Sequence, residues 1–204
     1  VFRINEVNSH FINDLCIEKI LNDIHNSIDE TDAIIFSDFN YGCLPQKLVD
    51  SVTEIALKHN VNLFSDSQIS SQQGDIARFK NTLLTTPTEH EIRASLGDSE
   101  SGLVMLANKL IEKNNTKNVI ITLGSEGLLI HSPNALEKGE LQTDKIPALS
   151  HSSVDTAGCG DVFLVGTALS MCVGANIWLS AYIGSLCASK HANLIGNLPV
   201  NKSS

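Results

Sequence analysis

The chain has 204 residues, of which 42% are hydrophobic and 18% are charged, and its formal net charge at pH 7 is -9. This composition predicts a globular domain with a sizeable core and excludes an intrinsically disordered chain. The acidic balance argues against a nucleic-acid-binding protein, because no cluster of Lys and Arg interrupts it.

Short apolar runs predict strands that alternate with amphipathic helices along the whole chain. The predicted strands lie at 1–4, 33–37, 61–66, 82–86, 119–123, 128–130 and 141–146. The predicted helices lie at 14–28, from 46 to about 60, from 88 onward, at 103–111, after the glycines at 158–160, and at 177–192. This alternation predicts a single α/β domain over 1–204 with a mainly parallel central sheet.

Three polar loops follow predicted strands. They begin at Asp38, at Asp66 and at Gly124. Because ligands of open α/β sheets bind at the carboxyl ends of the strands, we expect these loops to border one site. The glycine loop at 158–160 is expected to face the same edge.

The segment at 155–161 reads Asp-Thr-Ala-Gly-Cys-Gly-Asp and runs directly into an apolar helix. Glycines allow backbone N–H groups to converge on an anion, and a helix N-terminus adds unpaired N–H groups and a partial positive charge. A carboxylate there would repel a phosphate unless it serves an attacking hydroxyl, which predicts a proton-accepting role for Asp161. The local alternative is a tight turn in which Asp161 only stabilises the first helical turn.

Cysteine usage and hydropathy indicate where the protein works. The five cysteines are odd in number and form no CxxC pair, so neither a disulfide framework nor a zinc site is expected. No apolar run is long enough to span a bilayer. We therefore expect a cytoplasmic protein without a membrane partner.

Taken in order, four motifs resemble those of the ribokinase-like carbohydrate kinases, the PfkB family. They are Ser-Asp-Phe-Asn-Tyr-Gly at 37–42, Thr-Pro-Thr-Glu-His-Glu at 86–91, Thr-Leu-Gly-Ser-Glu-Gly at 122–127, and the glycine loop at 155–161. The first is similar to a pattern of the branch that phosphorylates heptose phosphate and makes ADP-heptose. The resemblance covers nearly the whole chain.

The resemblance implies a role for each matched residue. Asp161 would be the catalytic base that accepts the proton of a sugar hydroxyl. The other implied site residues are Gly158, Cys159 and Gly160 for a backbone anion hole, Thr122, Gly124, Gly127 and Ser185 for ATP, Glu91 for Mg²⁺, and Asp38 and Asp66 on the substrate side.

The resemblance also implies the architecture and the activity. We expect a ribokinase-like three-layer α/β/α fold, of which 1–204 is the carboxy-terminal, nucleotide-binding portion and the amino-terminal part is absent. The implied activity is ATP-dependent phosphorylation of a sugar or sugar-phosphate hydroxyl, with a heptose 7-phosphate as one candidate acceptor. Because missing strands would leave a sheet edge and apolar surface uncovered, we expect this stretch alone to be inactive, and either self-associated, for instance as a homodimer, or poorly soluble.

The chain departs from the family pattern at three places. Thr88 stands where the family has Asn, Tyr41 where the heptose-phosphate branch has Lys, and Ser67 and Gln68 where that branch has Pro-Lys. The last two changes remove cations that would meet a substrate phosphate. They leave open an unphosphorylated sugar as substrate, or a degenerate kinase-like domain that binds nucleotide or a partner without turnover.

Several motif residues also have a purely local interpretation. Thr88 and Glu91 fit a capping box, the glycines at 124 and 127 fit a hairpin turn, and Asp38 fits a cap or brace of its loop. Cys159 could be a reactive thiol, because a helix N-terminus lowers a thiol pKa, although an incidental small residue is the preferred interpretation. A dinucleotide-binding loop is disfavoured, since the third glycine of that fingerprint is missing.

Overall fold

The structure is a computed structural model that describes residues 10–68, 74–150 and 155–195, so the strand predicted at 1–4 lies outside it. Six strands form one sheet in which neighbours in sequence are neighbours in space. They are β1 Ala33–Asp38, β2 Asn62–Ser67, β3 Leu84–Thr85, β4 Val119–Thr122, β5 Leu128–His131 and β6 Thr143–Ile146. The first four strands run parallel, and β5 is antiparallel to both of its neighbours.

Six α-helices connect and cover these strands. They are α1 Asp14–Ser27, α2 Gln46–His59, α3 Glu89–Leu96, α4 Leu103–Asn114, α5 Cys159–Cys172 and α6 Ile177–Ala192. Short 3-10 turns lie at 28–30, 76–78, 124–126 and 133–138. Within the described part of the chain, no helix is long and apolar enough to cross a membrane.

The two faces of the sheet carry two separate cores, because successive side chains of a strand point to opposite faces. In β2, Leu63 joins the core under α1 to α4, whereas Phe64 joins the core under α5 and α6. The same division separates Ile121 from Ile120 in β4. Apolar residues on both faces are typical of buried parallel strands, and the predicted three-layer α/β/α arrangement is confirmed.

Two predicted strands are shorter than their sequence patterns suggested. The strand predicted at 82–86 is reduced to β3, and the one predicted at 141–146 begins at Thr143. Beside β3, the hydroxyls of Thr82 and Thr85 bond to each other at 2.9 Å, and the Thr116 hydroxyl lies 2.7 Å from that of Thr82. These residues form a buried polar network in which the hydroxyl groups are hydrogen-bond partners of one another. This network occupies a place that the sequence pattern had assigned to a longer strand.

The outer face of α5 is apolar although it faces solvent. Val165, Leu169 and Val173 are exposed and recur at a spacing of four, so they form one stripe along the helix. The opposite face of α5 packs through Phe163 and Leu164 onto the sheet. This stripe is exposed apolar surface in the part of the chain that the structure describes, and the expected effect of missing strands stays a prediction.

The helices α5 and α6 approach each other closely at two glycines. A Cβ atom on Gly184 would overlap the Thr167 hydroxyl and lie 2.8 Å from the carbonyl oxygen of Phe163. A Cβ atom on Gly166 would lie 3.2 Å from Cys187 Sγ. Glycine at 184 therefore sets the distance between the two helices.

We expect Gly184→Ala to lower the free energy of unfolding of the full-length protein by about 1–3 kcal/mol, measured by urea denaturation. Alanine has a higher helix propensity than glycine, which alone would raise the free energy of unfolding by up to about 1 kcal/mol. A net decrease in this free energy would therefore be due to the steric overlap with the Phe163 backbone. Gly166→Ala is the matched control, because its new methyl group would lie no closer than 3.2 Å to any neighbour, the nearest being Cys187 Sγ. A Gly184→Ala protein as stable as Gly166→Ala would contradict the close packing.

Candidate active site

The carboxyl end of β1 meets the first turn of α5. The Ser37 hydroxyl, on β1, donates to Asp161 Oδ1 on α5 at 3.4 Å. The parallel register of β1 and β2 places Ser37 beside Asp66. The predicted convergence of Asp38, Asp66 and Asp161 at one sheet edge is therefore present in the structure.

The glycine loop turns the backbone into α5. Gly158 precedes the helix with a φ of 81°, a left-handed conformation that glycine adopts without strain. Of the three residues predicted as an anion hole, Cys159 uses its N–H within the loop, donating to Thr156 O at 3.2 Å. The N–H groups of Gly158, Gly160 and Asp161 have no acceptor among the described residues, so they are the donors available to an anion.

The contacts of the Cys159 thiol lie with α6 and the start of the loop. Its Sγ lies 3.7 Å from Ala188 O on α6 and 3.9 Å from Asp155 O. Burial, assisted by the negative charge of Asp155, raises the pKa of the Cys159 thiol. A raised pKa disfavours the thiolate, which supports the incidental small residue over the reactive thiol.

The end of α6 holds the glycine loop in place. The buried ring of His191 places Nε2 2.9 Å from Ala157 O, so the tautomer protonated at Nε2 donates to the loop. The Asp155 N–H donates to Ala192 O at 3.1 Å. Sequence analysis missed His191, because a contact across 34 residues has no local motif.

The pKa of Asp66 is raised at this site. Burial, followed by the negative charges of Glu91 and Asp161, raises the pKa of Asp66 from its ordinary value of 3.8 to about 7. The charge of Asp38 acts in the same direction. Four carboxyl groups from four different elements therefore share one electrostatic environment.

Asp38 is a brace as well as a predicted substrate-side residue. Its buried carboxylate accepts from Arg78 at 2.6 Å and from the Asn40 N–H at 2.9 Å. Arg78 also donates to Leu44 O at 2.9 Å, so the guanidinium ties the loop after β1 to the 3-10 turn at 76–78. The bracing interpretation of Asp38 is therefore present in the structure, and any contact with substrate stays a prediction.

Glu91 forms the capping box that its spacing from Thr88 indicated. Its Oε2 accepts from the Thr88 N–H at 2.7 Å, and the Thr88 hydroxyl accepts from the Glu91 N–H at 3.2 Å. Threonine here caps α3 as the asparagine of the family pattern would, so this departure leaves the helix start intact. The predicted role of Glu91 toward Mg²⁺ is additional to the cap and stays a prediction.

A cavity of about 310 Å³ lies beside the motif at 122–127. Its lining includes Thr88, Thr122, Gly124 and Lys145. Thr122 and Gly124 were predicted to contact ATP, and both face this cavity. Sequence analysis missed Lys145, a cation on β6 that the sheet brings beside them.

The other two residues predicted to bind ATP have contacts of their own. Gly127 closes the turn between β4 and β5, and a Cβ there would overlap Ile146 O and lie 2.6 Å from the carbonyl carbon of Pro147. The hairpin interpretation therefore explains Gly127 without a ligand. The Ser185 hydroxyl donates to Ala181 O at 2.8 Å within α6, so its predicted place near adenine stays a prediction.

A larger cavity of about 620 Å³ lies at the opposite edge of the sheet, where its lining includes Asn62 at the start of β2 and Asn60 after α2. It contains none of the predicted site residues. Because open α/β sheets bind ligands at the carboxyl ends of their strands, we place the functional site at the edge that holds Asp161.

The carboxylates suit a divalent cation that arrives with a nucleotide. Burial, and after it the negative charges of Glu91 and Asp161, raise the pKa of Asp66, and a cation relieves this kind of charge imbalance. Among the residues described, no group of three or more His, Cys, Asp or Glu could hold a metal ion. Mg²⁺ commonly binds through one or two carboxylates, several waters and substrate phosphates, and Glu91 and Asp66 fit that mode.

We expect Asp66→Asn to change stability in a pH-dependent way. The folded protein binds the Asp66 proton more tightly than the unfolded chain, so ionising Asp66 costs stability between about pH 4 and pH 7. We compare the unfolding free energy of the Asn variant minus that of the parent at two pH values. This difference should be more positive at pH 8 than at pH 4, by up to about 4 kcal/mol. Urea denaturation at the two pH values measures the difference.

The exposed Asp23 on α1 provides the control, since Asp23→Asn should show no such pH dependence. If the gain of Asp66→Asn were the same at pH 4 and pH 8, Asp66 would have an ordinary pKa and the shared electrostatic environment would be wrong.

Comparison with solved structures identifies the fold. Phosphofructokinase-2 from Escherichia coli in complex with potassium superposes with a TM-score of 0.75 at 16% identity, covering 91% of this chain and 58% of that chain. Arabidopsis thaliana ribokinase complexed with ribose and ATP superposes with a TM-score of 0.67 at 19% identity, covering 92% of this chain and 55% of that chain. The ribokinase-like fold predicted from the motifs is confirmed.

Sequence comparison agrees with the predicted branch of the family. The bifunctional protein HldE of Desulfatibacillum aliphaticivorans is 24% identical over 205 residues, covering 99% of this chain and 40% of that relative. The chain thus spans about two fifths of this curated relative and just over half of the solved neighbours. The model of the pfkB family carbohydrate kinases matches residues 12–196, and the chain belongs to that family.

Proposed function

We propose that the protein carrying this chain transfers the γ-phosphoryl group of ATP to a hydroxyl group of a sugar. One observation carries the proposal: Asp161 and the free N–H groups of Gly160 and Asp161 lie together at the carboxyl edge of a sheet in a carbohydrate kinase family. A proton acceptor beside an anion site is the arrangement that phosphoryl transfer to an alcohol needs.

In the proposed reaction, the acceptor oxygen forms a bond to the γ-phosphorus while the bond between that phosphorus and the β,γ-bridging oxygen breaks. Asp161 accepts the proton of the hydroxyl group, and ADP leaves with the electron pair of the broken bond. The N–H groups of Gly160 and Asp161 stabilise the negative charge on the transferring group. Ser37 positions the Asp161 carboxylate through its hydroxyl group.

The cavity beside Thr122 and Gly124 is the proposed nucleotide site. Its backbone is open at Gly124, where no atom lies within 4 Å of a Cβ position, so a phosphate can approach closely. Lys145 supplies a cation on the same side. Mg²⁺, when bound with ATP, neutralises phosphate charge, and Glu91 and Asp66 are the proposed carboxylates toward it.

The observations favour the type of reaction more strongly than they favour any one acceptor sugar. The HldE relatives and the motif at 37–42 favour an acceptor related to heptose 7-phosphate, whereas Tyr41 and Gln68 stand where that branch has cations. The Arabidopsis neighbour was solved with ribose, an unphosphorylated sugar. We propose that 1–204 supplies the nucleotide-binding portion of the kinase domain, and that further chain supplies part of the sugar site.

A degenerate kinase-like domain without turnover is the second candidate, favoured by the changed residues at Tyr41 and Gln68. The intact Asp161 and the preserved cap at Thr88 count against it. Turnover of any sugar by the full-length protein would exclude it.

We expect Asp161→Asn in the full-length protein to lower kcat by about a hundredfold to ten-thousandfold, because an amide cannot accept the hydroxyl proton. ATP binding, measured by calorimetry with Mg²⁺ present, should survive. Glu54→Gln, an exposed acid-to-amide change on α2, is the control and should retain parental kcat. Parental turnover by Asp161→Asn would overturn the assignment of the base.

We expect His191→Ala to lower kcat by up to about a hundredfold, because a loop displaced by a fraction of an ångström no longer aligns its N–H groups. His191→Gln retains a donor that can reach Ala157 O, so it should recover part of the loss. Thermal unfolding of both variants separates loop misalignment from global destabilisation. If His191→Ala were folded and fully active, the loop would not depend on this contact.

A further inference from the structure

One asparagine bridges the chain after β1 and the end of β2. The side-chain amide of Asn40 donates to Gln68 O at 2.6 Å and to Ser67 Oγ at 3.3 Å. Its backbone N–H donates to Asp38 Oδ1 at 2.9 Å. Asn40 therefore contacts the last residue of β1, the last residue of β2 and the residue that directly follows β2.

The backbone at Asn40 does not by itself require this side chain. Asn40 has a left-handed φ of 58°, a conformation that asparagine and glycine both adopt more readily than other residues. Glycine would therefore form the same turn. What asparagine adds is the pair of N–H donors of its carboxamide, and both donors have acceptors at the end of β2.

On the β2 side, the bridge ends beside Asp66. The Ser67 N–H donates to the Asp66 carboxylate, and the Ser67 side chain is buried. The Gln68 N–H donates to Asp38 O at 2.8 Å, which continues the ladder of β1 and β2 by one bond. The Asn40 carboxamide adds its two bonds at this same point, to the backbone segment from which Asp66 receives a hydrogen bond.

On the β1 side, the bridge ends beside the residue that contacts Asp161. Asp38, which accepts the Asn40 N–H, directly follows Ser37, whose hydroxyl donates to Asp161 Oδ1 at 3.4 Å. Arg78 donates to the other oxygen of the Asp38 carboxylate at 2.6 Å. The end of β1 is therefore held from both sides of Asp38, and the Asp161 carboxylate contacts this held segment.

We propose that Asn40 is a positioning residue for the phosphoryl transfer, which fixes the separation of Asp161 and Asp66 by holding the ends of β1 and β2 together. The inference rests on the proposed function, in which Asp161 accepts the hydroxyl proton and Asp66 is a carboxylate toward Mg²⁺. A misplacement of about 1 Å in a site costs about a hundredfold in rate. The contacts that connect the two carboxyl groups form one path, through Asp161, Ser37, Asp38, Asn40, Ser67 and Asp66.

The test uses Asn40→Gly in the full-length protein, because glycine keeps the left-handed turn and removes both side-chain donors. Asn60→Gly is the matched control. Asn60 has the same φ of 58°, its side chain is exposed, and it follows α2 at the opposite edge of the sheet. The effect of glycine on the unfolded chain is common to both variants. Asn40→Asp tests the donors alone, because a carboxylate of nearly the same shape accepts hydrogen bonds but does not donate them.

The kinetic comparison uses ATP, Mg²⁺ and the sugar that the parent protein turns over fastest. The kcat of Asn40→Gly and of Asn40→Asp should fall about tenfold to a hundredfold, whereas Asn60→Gly should keep the parental kcat. ATP binding, measured by calorimetry without Mg²⁺, should keep its parental affinity in all three variants. The reason is that neither Asp161 nor Asp66 lines the cavity proposed for the nucleotide.

A double-variant cycle tests whether Asn40 acts through Asp161. Asn40→Gly and Asp161→Asn are made singly and together, and the kcat values are compared. Residues that act as a unit have non-additive effects, so Asn40→Gly should lower kcat by less than about threefold once Asp161 is Asn. A merely structural residue would lower kcat by the same factor in both backgrounds, because it changes only the amount of folded enzyme.

The outcomes separate this inference from the proposed function. If the parent turned over a sugar and both Asn40 variants matched Asn60→Gly, the positioning role would be wrong and the kinase function would stand. Equal factors in the two Asp161 backgrounds, or activity lost in proportion to folded protein by circular dichroism, would assign Asn40 to stability and overturn the inference. A parent protein without turnover of any sugar would overturn the proposed function, and the inference with it.

Discussion

Four carboxyl groups share the carboxyl edge of one sheet, and the structure accommodates each by a different physical means. Asp38 is neutralised by Arg78, and Glu91 accepts a backbone N–H in the capping box of α3. Asp161 lies on the first turn of α5, where the helix N-terminus favours negative charge. Asp66 forms no ion pair with the residues that the structure describes, and burial, with the negative charges of Glu91 and Asp161, raises its pKa to about 7.

This distribution of charge limits where the proposed phosphoryl transfer could be supported in an acidic protein. An anion gains little from the net charge of -9, so its stabilisation has to come from local donors. The N–H groups of Gly160 and Asp161 supply such donors on one side, and Lys145 supplies a cation on the other. Glu89 and Glu126 line the same cavity as Lys145, so this cation lies among acidic side chains.

Much of the fold could be predicted from sequence because its signals are local. Strand and helix patterns recur with regular periods, and the capping box at Thr88 and Glu91 spans three residues. The site was only partly predictable. Arg78 contacts Asp38 across 40 residues and His191 contacts Ala157 across 34, and no short motif records either pairing.

Prediction of the site from motifs is also limited where a motif residue has a structural role in addition to its predicted ligand contact. Gly127 was predicted from a nucleotide motif, yet the approach of Ile146 and Pro147 already requires a residue without Cβ there. Glu91 likewise satisfies α3 before any metal is considered. A motif thus reports the chemistry that its family shares, while tertiary contacts decide how much of each side chain remains for a ligand.

The loop after β1 shows how a tertiary contact can redirect specificity. Arg78 could in principle meet an anionic substrate, but its bonds to Asp38 and Leu44 use it to hold the loop. Freeing Arg78 would leave the buried Asp38 carboxylate without a counter-ion, a change that is strongly destabilising. A cation that met a phosphate on the substrate would therefore have to come from a residue other than Arg78.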